Sequence, residues 1–267
     1  GRRRGKAIES GGRVPISFTP TTQTGGAERT MAQIQRDYWT RTAAAQAELD
    51  LGLRQYMLRV YNYMASGLAL TGIVAYAVAN TPALVQAIFG TPLQWVVMLA
   101  PLAFVMVLSF GLNRLSFFSA QAIFWAFSVA MGASLASIFL VFTGASIARV
   151  FFITAGTFAA MSLYGYTTKR DLSQFGSFLF MGLIGIVIAG LVNIFVQSSA
   201  LQFAISVIGV IVFVGLTAYD TQRIKDIYIA GEDGEVAGKK ALMGALALYL
   251  DFINMFTSLL YLFGERE

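Results

Sequence analysis

The sequence predicts an all-α, polytopic membrane protein of about seven transmembrane helices, with the last helix central in the bundle. Three observations lead there. Of 267 residues, 57% are hydrophobic and only 12% charged, whereas soluble domains carry about a quarter charged residues. Apolar stretches long enough to span recur along the chain, and a helix needs ~20 such residues to cross a bilayer. The third observation is the final stretch, residues 241–263 (ALMGALALYLDFINMFTSLLYLF), which carries Asp251 near its middle and Asn254 one turn later. A charge at the bilayer centre costs ~2.5–3.5 kcal/mol on insertion scales, and each Leu, Ile or Phe returns only ~0.3–0.6 kcal/mol. The nine Leu, Ile and Phe residues between Ala241 and Leu260 therefore roughly cancel the aspartate and its polar neighbours. Facing lipid, this helix is marginal. It belongs inside a bundle, with Asp251 turned to a partner or a water path.

Composition also removes whole classes of chemistry. The chain has no cysteine, so disulfides, thiolate nucleophiles and cysteine metal sites are absent. It has no histidine, which excludes Ser-His-Asp catalysis, HExxH zinc hydrolysis and histidine-ligated haem. The net charge of +5 is concentrated in the N-terminal tail. That distribution suits an anionic membrane surface and not nucleic acid, because no basic module large enough to fold alone is present.

In chain order, residues 1–50 read as a tail and 51–267 as the membrane domain. Residues 1–30 lack hydrophobic periodicity and are rich in Arg, Gly, Thr and Pro, the composition of disorder. The first methionine is Met31, so the segment before it reads as an appended tail or a misplaced start. Residues 31–56, with Glu48, Asp50 and Arg54, are expected to form a short surface helix leading into the membrane. Spans are expected at 58–79, 93–113, 117–142, 149–167, 175–196, 201–222 and 240–263. Turn residues (Asn80, Thr81 and Pro82, then Gly90, Thr91 and Pro92) separate the first two, and Pro101 is expected to kink the second.

Lysine and arginine placement gives the orientation. Connections 80–92 and 197–200 carry no charge, whereas the alternate ones carry Arg114, Lys169 and Arg170, then Arg223, Lys225, Lys239 and Lys240. The N-terminus is therefore expected in the cytoplasm, and an odd number of spans puts the C-terminus on the far side unless the last helix is re-entrant. Small residues four apart (Gly132/Ala136, Ala155/Ala159, Gly156/Ala160, Gly185/Ala189) read as close-packing positions. The glycine-rich, acidic segment 225–240 reads as a mobile, solvated loop, since Glu232, Asp233 and Glu235 lack EF-hand spacing.

Few ionisable groups remain at membrane depth. Asp251 is the clearest, and Asp220 lies near the cytoplasmic end of the sixth span; Arg59 and Arg114 sit at span ends, with Asn62, Asn193 and Asn254 the uncharged polar candidates. Asp220 and Asp251 belong to consecutive antiparallel helices, but straight helices would leave them offset by roughly 10 Å at 1.5 Å per residue. They meet only if the last helix starts below the membrane surface or the sixth sits deeper. If they meet in a poorly solvated place, both cannot ionise, and the pair shares a proton and titrates as one unit. With no histidine in the chain, such a dyad is the leading pH sensor. The plainer readings pair Asp220 with Arg223 or Lys225 at a helix end, and make Asp251 a structural hydrogen-bond hub. Gly244, Ala247, Asp251, Asn254 and Ser258 share one face, which either lines a water path or packs tightly.

The motifs around the two aspartates, GLTAYDTQRIK and ALALYLDFINMF, resemble the C-terminal signature of the transmembrane Bax inhibitor motif family, bacterial branch. YMASGLALTG in the first span, KRDLSQFGSFLFMGLIG entering the fifth and VNIF near its end extend the resemblance over roughly residues 50–264. It implies seven helices with the last enclosed by two three-helix groups, an inner-membrane location and a pH-responsive calcium leak. The family's paired aspartates fall on Asp220 and Asp251. A dyad-binding arginine at the end of the second span corresponds to Arg114, although GLNRLSFF departs from the more basic family pattern. Some bacterial relatives are associated with a membrane-bound AAA protease, which makes such a protease a second kind of partner beside lipid, calcium ions and protons.

Calcium prefers six to eight oxygens for tight binding. Two carboxylates with Asn254, Thr217 or backbone carbonyls supply a weak, transient site, and conduction needs a site that releases as well as binds. No cofactor and no enzymatic step is expected. An intramembrane aspartyl protease fits less well, because ALYLD lacks the GxGD pattern and no proline follows Pro101. A retinal receptor fails for want of a lysine in the middle of the last span.

Overall fold

The computed structural model describes residues 24–266. The chain divides into two compact units, Gly1–Glu48 and Leu49–Glu267. The first unit holds, among the described residues, the opening part of α1 (Thr24–Ala79), and the second holds every other element. The tail expected over residues 1–30 lies largely outside the described residues. Residues 31–56 are not a separate short helix but part of α1, in keeping with a stretch that has no proline between Pro20 and Pro82.

Among the described residues, seven helices are long and apolar enough to cross a membrane, their spans running Ala47–Ala79, Leu93–Gly111, Phe117–Leu140, Gly144–Thr167, Ser173–Val196, Ser199–Asp226 and Gly234–Phe263. These are the membrane part of α1, then α3 (Leu93–Gly111), α4 (Phe117–Leu135) with a 3-10 turn at Ala136–Leu140, α5 (Gly144–Thr167), α6 (Ser173–Val196), α7 (Ser199–Asp226) and α8 (Gly234–Phe263). Between α1 and α3 the expected turn contains a short helix, α2 (Pro82–Phe89), started by a proline at its first positions. The starts of α4, α5, α7 and α8 are set by Ser116, Thr143, Ser198 and Asp233, whose side chains accept backbone N–H groups of the first turn. Those caps lengthen α5 and α8 by several residues beyond the apolar runs that mark them in sequence.

The helices form two groups of three around α8. In the first, α1 and α4 approach closely at Gly67 and Gly132: an added methyl at Gly132 would lie 2.7 Å from Thr71 O, and one at Gly67 would lie 2.9 Å from the Phe124 ring. Helix α3 packs on α4. In the second, α5 and α6 both pack on α7. Helix α8 touches α4, α5 and α7, and reaches α1 through the Tyr249 hydroxyl, 2.7 Å from Thr71 Oγ1. Edge-on rings knit this centre together, Phe127 on Tyr249 and Phe158 on Phe252. Over its most apolar window α8 is 56% buried, against at most 33% for any other span. The last helix is the central one.

At ~1.5 Å per residue, the 30 residues of α8 extend about 45 Å, more than the ~30 Å hydrocarbon core. Its C-terminal end is pinned to the α4–α5 connection, at the opposite end of the bundle from the α7–α8 turn. Thr143 N donates to Glu265 O, Glu265 N donates to Ser146 Oγ, and Arg149 lies 3.2 Å from Glu265. The helix therefore runs from one end of the bundle to the other.

The small-residue pairs divide. Gly132 and Ala136 are buried at helix contacts, whereas Gly156 and Gly185 are exposed with nothing within 4 Å of an added methyl. Spacing alone does not reveal which face of a helix looks inward, and the last two pairs look outward. The tightest α5–α7 approach is at Gly165, where an added methyl would lie 2.2 Å from Ala218 O, a backbone atom. Gly165→Ala is expected to destabilise the protein by about 1–3 kcal/mol, while Gly156→Ala changes stability by no more than about 0.5 kcal/mol. Thermal unfolding of both variants in detergent checks this, and equal shifts would contradict the packing described.

Candidate functional site

The register of α7 against α8 decides whether the two aspartates meet. Gly244 lies against Ile224, and Gly209 against Ser258. Asp251 is therefore roughly level with Thr217, within about one turn of Asp220, and α8 begins about eight residues, or ~12 Å, beyond the end of α7. This is the early start that the sequence demanded for a meeting. The capping Asp233, which accepts from Glu235 N at 2.8 Å, makes it possible by starting the helix ahead of its apolar run.

The carboxyl groups of Asp220 and Asp251 lie within hydrogen-bonding reach of each other. Asp251 is 4% exposed, and its Oδ2 is fully buried with no donor among the described residues. A carboxyl oxygen left without a donor in a buried place is costly, more so when charged. The carboxyl group of Asp220 is the polar group of α7 that faces it.

Both acids open onto a cavity of about 770 Å³ between the two three-helix groups, with walls from α3, α4, α6, α7 and α8. Most of the lining is apolar. The polar side chains there are Ser134, Ser177, Tyr219, Arg223 and Asn254 beside the two aspartates. Arg223, one turn after Asp220, lines the same cavity and acts on Asp220 through its positive charge. Asn254 donates Nδ2 to Leu250 O at 2.8 Å and leaves its amide oxygen for a ligand.

Arg114 is not at this site. It is exposed on the turn between α3 and α4, does not line the cavity, and the cation that does so is Arg223. The sequence position of Arg114 at a span end was compatible with either place, because a short turn can present a side chain inward or outward. Lys225 is also turned elsewhere: its Nζ donates to Tyr166 O at 3.0 Å and sits over the Tyr166 ring. The Gly244-to-Ser258 stripe combines both of its readings. Gly244 and Ser258 pack against α7, while Ala247, Asp251 and Asn254 between them line the cavity.

The remaining polar candidates lie apart. Asn193 bonds Gln202 and accepts from Ser198 N, fastening the α6–α7 turn where Gln197 takes a left-handed φ of 52°. Arg59 and Asn62 line a separate polar recess beside Trp125 on α1. The acidic segment 225–240 is not an open loop. Only residues 227–233 lie outside helices, and Lys240 holds Glu232 at 2.6 Å while the Tyr228 ring stacks 5.5 Å from Tyr56 over Gly52. Glu235 additionally accepts from Phe117 N at 3.3 Å at the start of α4. Its charges had suggested solvation, yet here they clamp the turn.

One buried feature had no sequence signal. A chain of hydroxyls crosses from α1 through α5 to α7, from Tyr61 to Ser162, from Ser162 to Thr221 at 3.0 Å, and from Thr221 Oγ1 to Thr217 O at 2.7 Å. Isolated Ser and Thr residues in apolar spans usually bond their own helix, as Thr154 does to Val150 O, so nothing in the pattern marks these as linked.

A family model described as inhibitor of apoptosis-promoting Bax1 matches residues 53–267. The chain belongs to the Bax inhibitor-1 family. Among relatives in this family, the inner membrane protein YbhL of Escherichia coli K12 is 51% identical over 219 residues, covering 81% of this chain and 94% of YbhL. The protein RP147 of Rickettsia prowazekii is 48% identical over 227 residues, covering 85% and 96%. A protein of Caulobacter vibrioides is 44% identical over 254 residues, covering 89% of this chain and all of its own length. Family membership thus extends over the whole second unit apart from its first few residues.

The acid contact has a spectroscopic consequence. In infrared difference spectra across a pH titration, a protonated-carboxyl C=O band is expected in the wild-type protein. It should disappear in both Asp220→Asn and Asp251→Asn, because one proton belongs to the pair. A band lost in only one variant would mean two independent acids.

Proposed function

We propose that this protein is a pH-sensitive cation leak of the inner membrane that passes calcium, with Asp220 and Asp251 as both the proton switch and the ion-pathway ligands. The observation that carries the reading is an acid pair within hydrogen-bonding reach, buried at the meeting of α7 and α8 and open to a cavity between the two helix groups. With a proton between them the carboxyls hold the helices together. Without it, two unit charges 4 Å apart repel by about 4 kcal/mol at an effective dielectric constant of 20. A change of that size is enough to bias two packings of the same bundle.

Calcium enters this scheme as cargo. Two carboxylates and the Asn254 amide oxygen fall short of the six to eight oxygens of a tight site, and among the described residues no group of three or more Asp, Glu, His or Cys side chains could hold a metal ion. Such a sparse site favours brief occupancy and release, which conduction requires. Arg223 at the cavity wall tempers the attraction for cations. The membrane setting is supported by seven helices of spanning character and by the name of the relative YbhL. A cytoplasmic N-terminus is supported by Arg114, Lys169 and Arg170 on connections and Lys225 in the last turn of α7, all at one end of the bundle.

Calcium flux into proteoliposomes, measured from mildly acidic to mildly alkaline conditions, tests the proposal. Wild-type flux should change with pH, and Asp251→Asn should flatten that profile because an amide cannot titrate. An Asp251→Asn protein with wild-type flux and wild-type pH dependence sinks the gating reading. The same acid geometry serves peptide hydrolysis in aspartic proteases, so cleavage of a membrane-spanning peptide is assayed on the same preparation. Cleavage without flux would favour the enzyme. Neither activity, together with a membrane AAA protease trapped by crosslinking in cells, would favour a regulatory partner.

A further inference from the structure

We propose that the groove between α1 and α5 binds an anionic phospholipid, with one acyl chain along the groove and the headgroup at Arg54. The groove encloses about 570 Å³ and does not touch the acid pair. Met57, Leu58, Met64, Ala65, Phe158 and Leu163 make its wall apolar. The two hydroxyls away from its Arg54 end, Tyr61 and Ser162, are bonded to each other, and Ser162 is bonded onward to Thr221, so the wall calls for no polar occupant at depth.

Polarity is confined to one end. Arg54 is exposed and forms no ion pair among the described residues, and it shares that end of the groove with Tyr166 in the last turn of α5. Lys169 and Arg170 follow directly on the α5–α6 connection, and Lys225 lies over the Tyr166 ring. Arg, Lys and Tyr at this level are the residues that meet lipid headgroups. From Arg54 to Ala65 the groove descends about 16 Å along α1, at ~1.5 Å per residue. An apolar trough of that depth, closed by an exposed guanidinium at a basic end, matches an acyl chain bearing a negative headgroup. The neighbouring recess on the other side of α1 offers a contrast. It also contains an arginine, Arg59, but its walls carry Gln55, Asn62 and Ser66 and provide no apolar trough.

One basic side chain at an anionic surface contributes ~1 kcal/mol, or about fivefold in affinity. Native mass spectrometry of the detergent-purified full chain, with added phosphatidylglycerol or phosphatidylcholine of matched chains, reads this directly and does not depend on any transport activity. The wild-type protein should retain phosphatidylglycerol about fivefold better. Arg54→Gln should abolish that preference and Arg59→Gln should keep it. Ala65→Phe with Ala159→Phe, two exposed small residues of the groove wall, should reduce retention of both lipids by filling the trough. Equal retention of the two lipids by the wild type overturns the proposal, as does a preference that survives Arg54→Gln. Unchanged retention in the filled-groove variant also overturns it, and would leave only lipid bound loosely around the bundle.

Discussion

The structure depends on a carboxyl group that lipid will not accept. Asp251 sits in the middle of a helix whose apolar residues barely offset it, so α8 has to be surrounded by protein. Once it is surrounded, the acid needs a polar neighbour, because the buried Oδ2 has no N–H or O–H donor within reach among the described residues. Asp220 on α7 is that neighbour. The two requirements together set the position of α8 along its own axis as well as its central place.

The remainder of the bundle follows from holding that central helix. Glycines are used where backbones must nearly touch, at Gly132 between α1 and α4 and at Gly165 between α5 and α7. Aromatic rings from α4 and α5 close on α8 above and below the acid, and the Tyr249 hydroxyl ties α8 to α1. Between the two helix groups the packing is incomplete, and the two acids line the cavity left there. One interior thus has two parts: the knitted aromatic side holds the fold, and the open side holds the two acids. The clamp at the α7–α8 turn holds that turn to α8 through Lys240 on Glu232 and to α1 through Tyr228 on Tyr56.

Much of this was legible in the chain. The seven spans, the central place of the last helix and the prominence of Asp220 and Asp251 all follow from hydropathy weighed against the cost of a mid-span charge. The misreadings share a cause. Arg114, the Gly156 and Gly185 pairs and the acidic turn were each judged from spacing or charge along one helix or loop, and each depends on which neighbour faces it. Arg223 was read as an orienting charge on a connection and as a partner for Asp220 at a helix end, whereas it also lines the cavity. The hydroxyl chain from Tyr61 to Thr221 left no trace, because its members lie on three helices far apart in sequence.

What the sequence determined by itself was membership: how many helices are long and apolar enough to cross, that the last one is enclosed, and that it carries an acid in its middle. Those are consequences of transfer free energies, which act residue by residue and need no knowledge of neighbours. What only the tertiary structure decided was juxtaposition. The meeting of Asp220 with Asp251 depends on how far α8 begins beyond the end of α7, and that offset is set by a capping aspartate, a clamped turn and the glycine contacts between helices. Contacts across a bundle arise from the mutual fit of surfaces, and no single stretch of chain contains that fit.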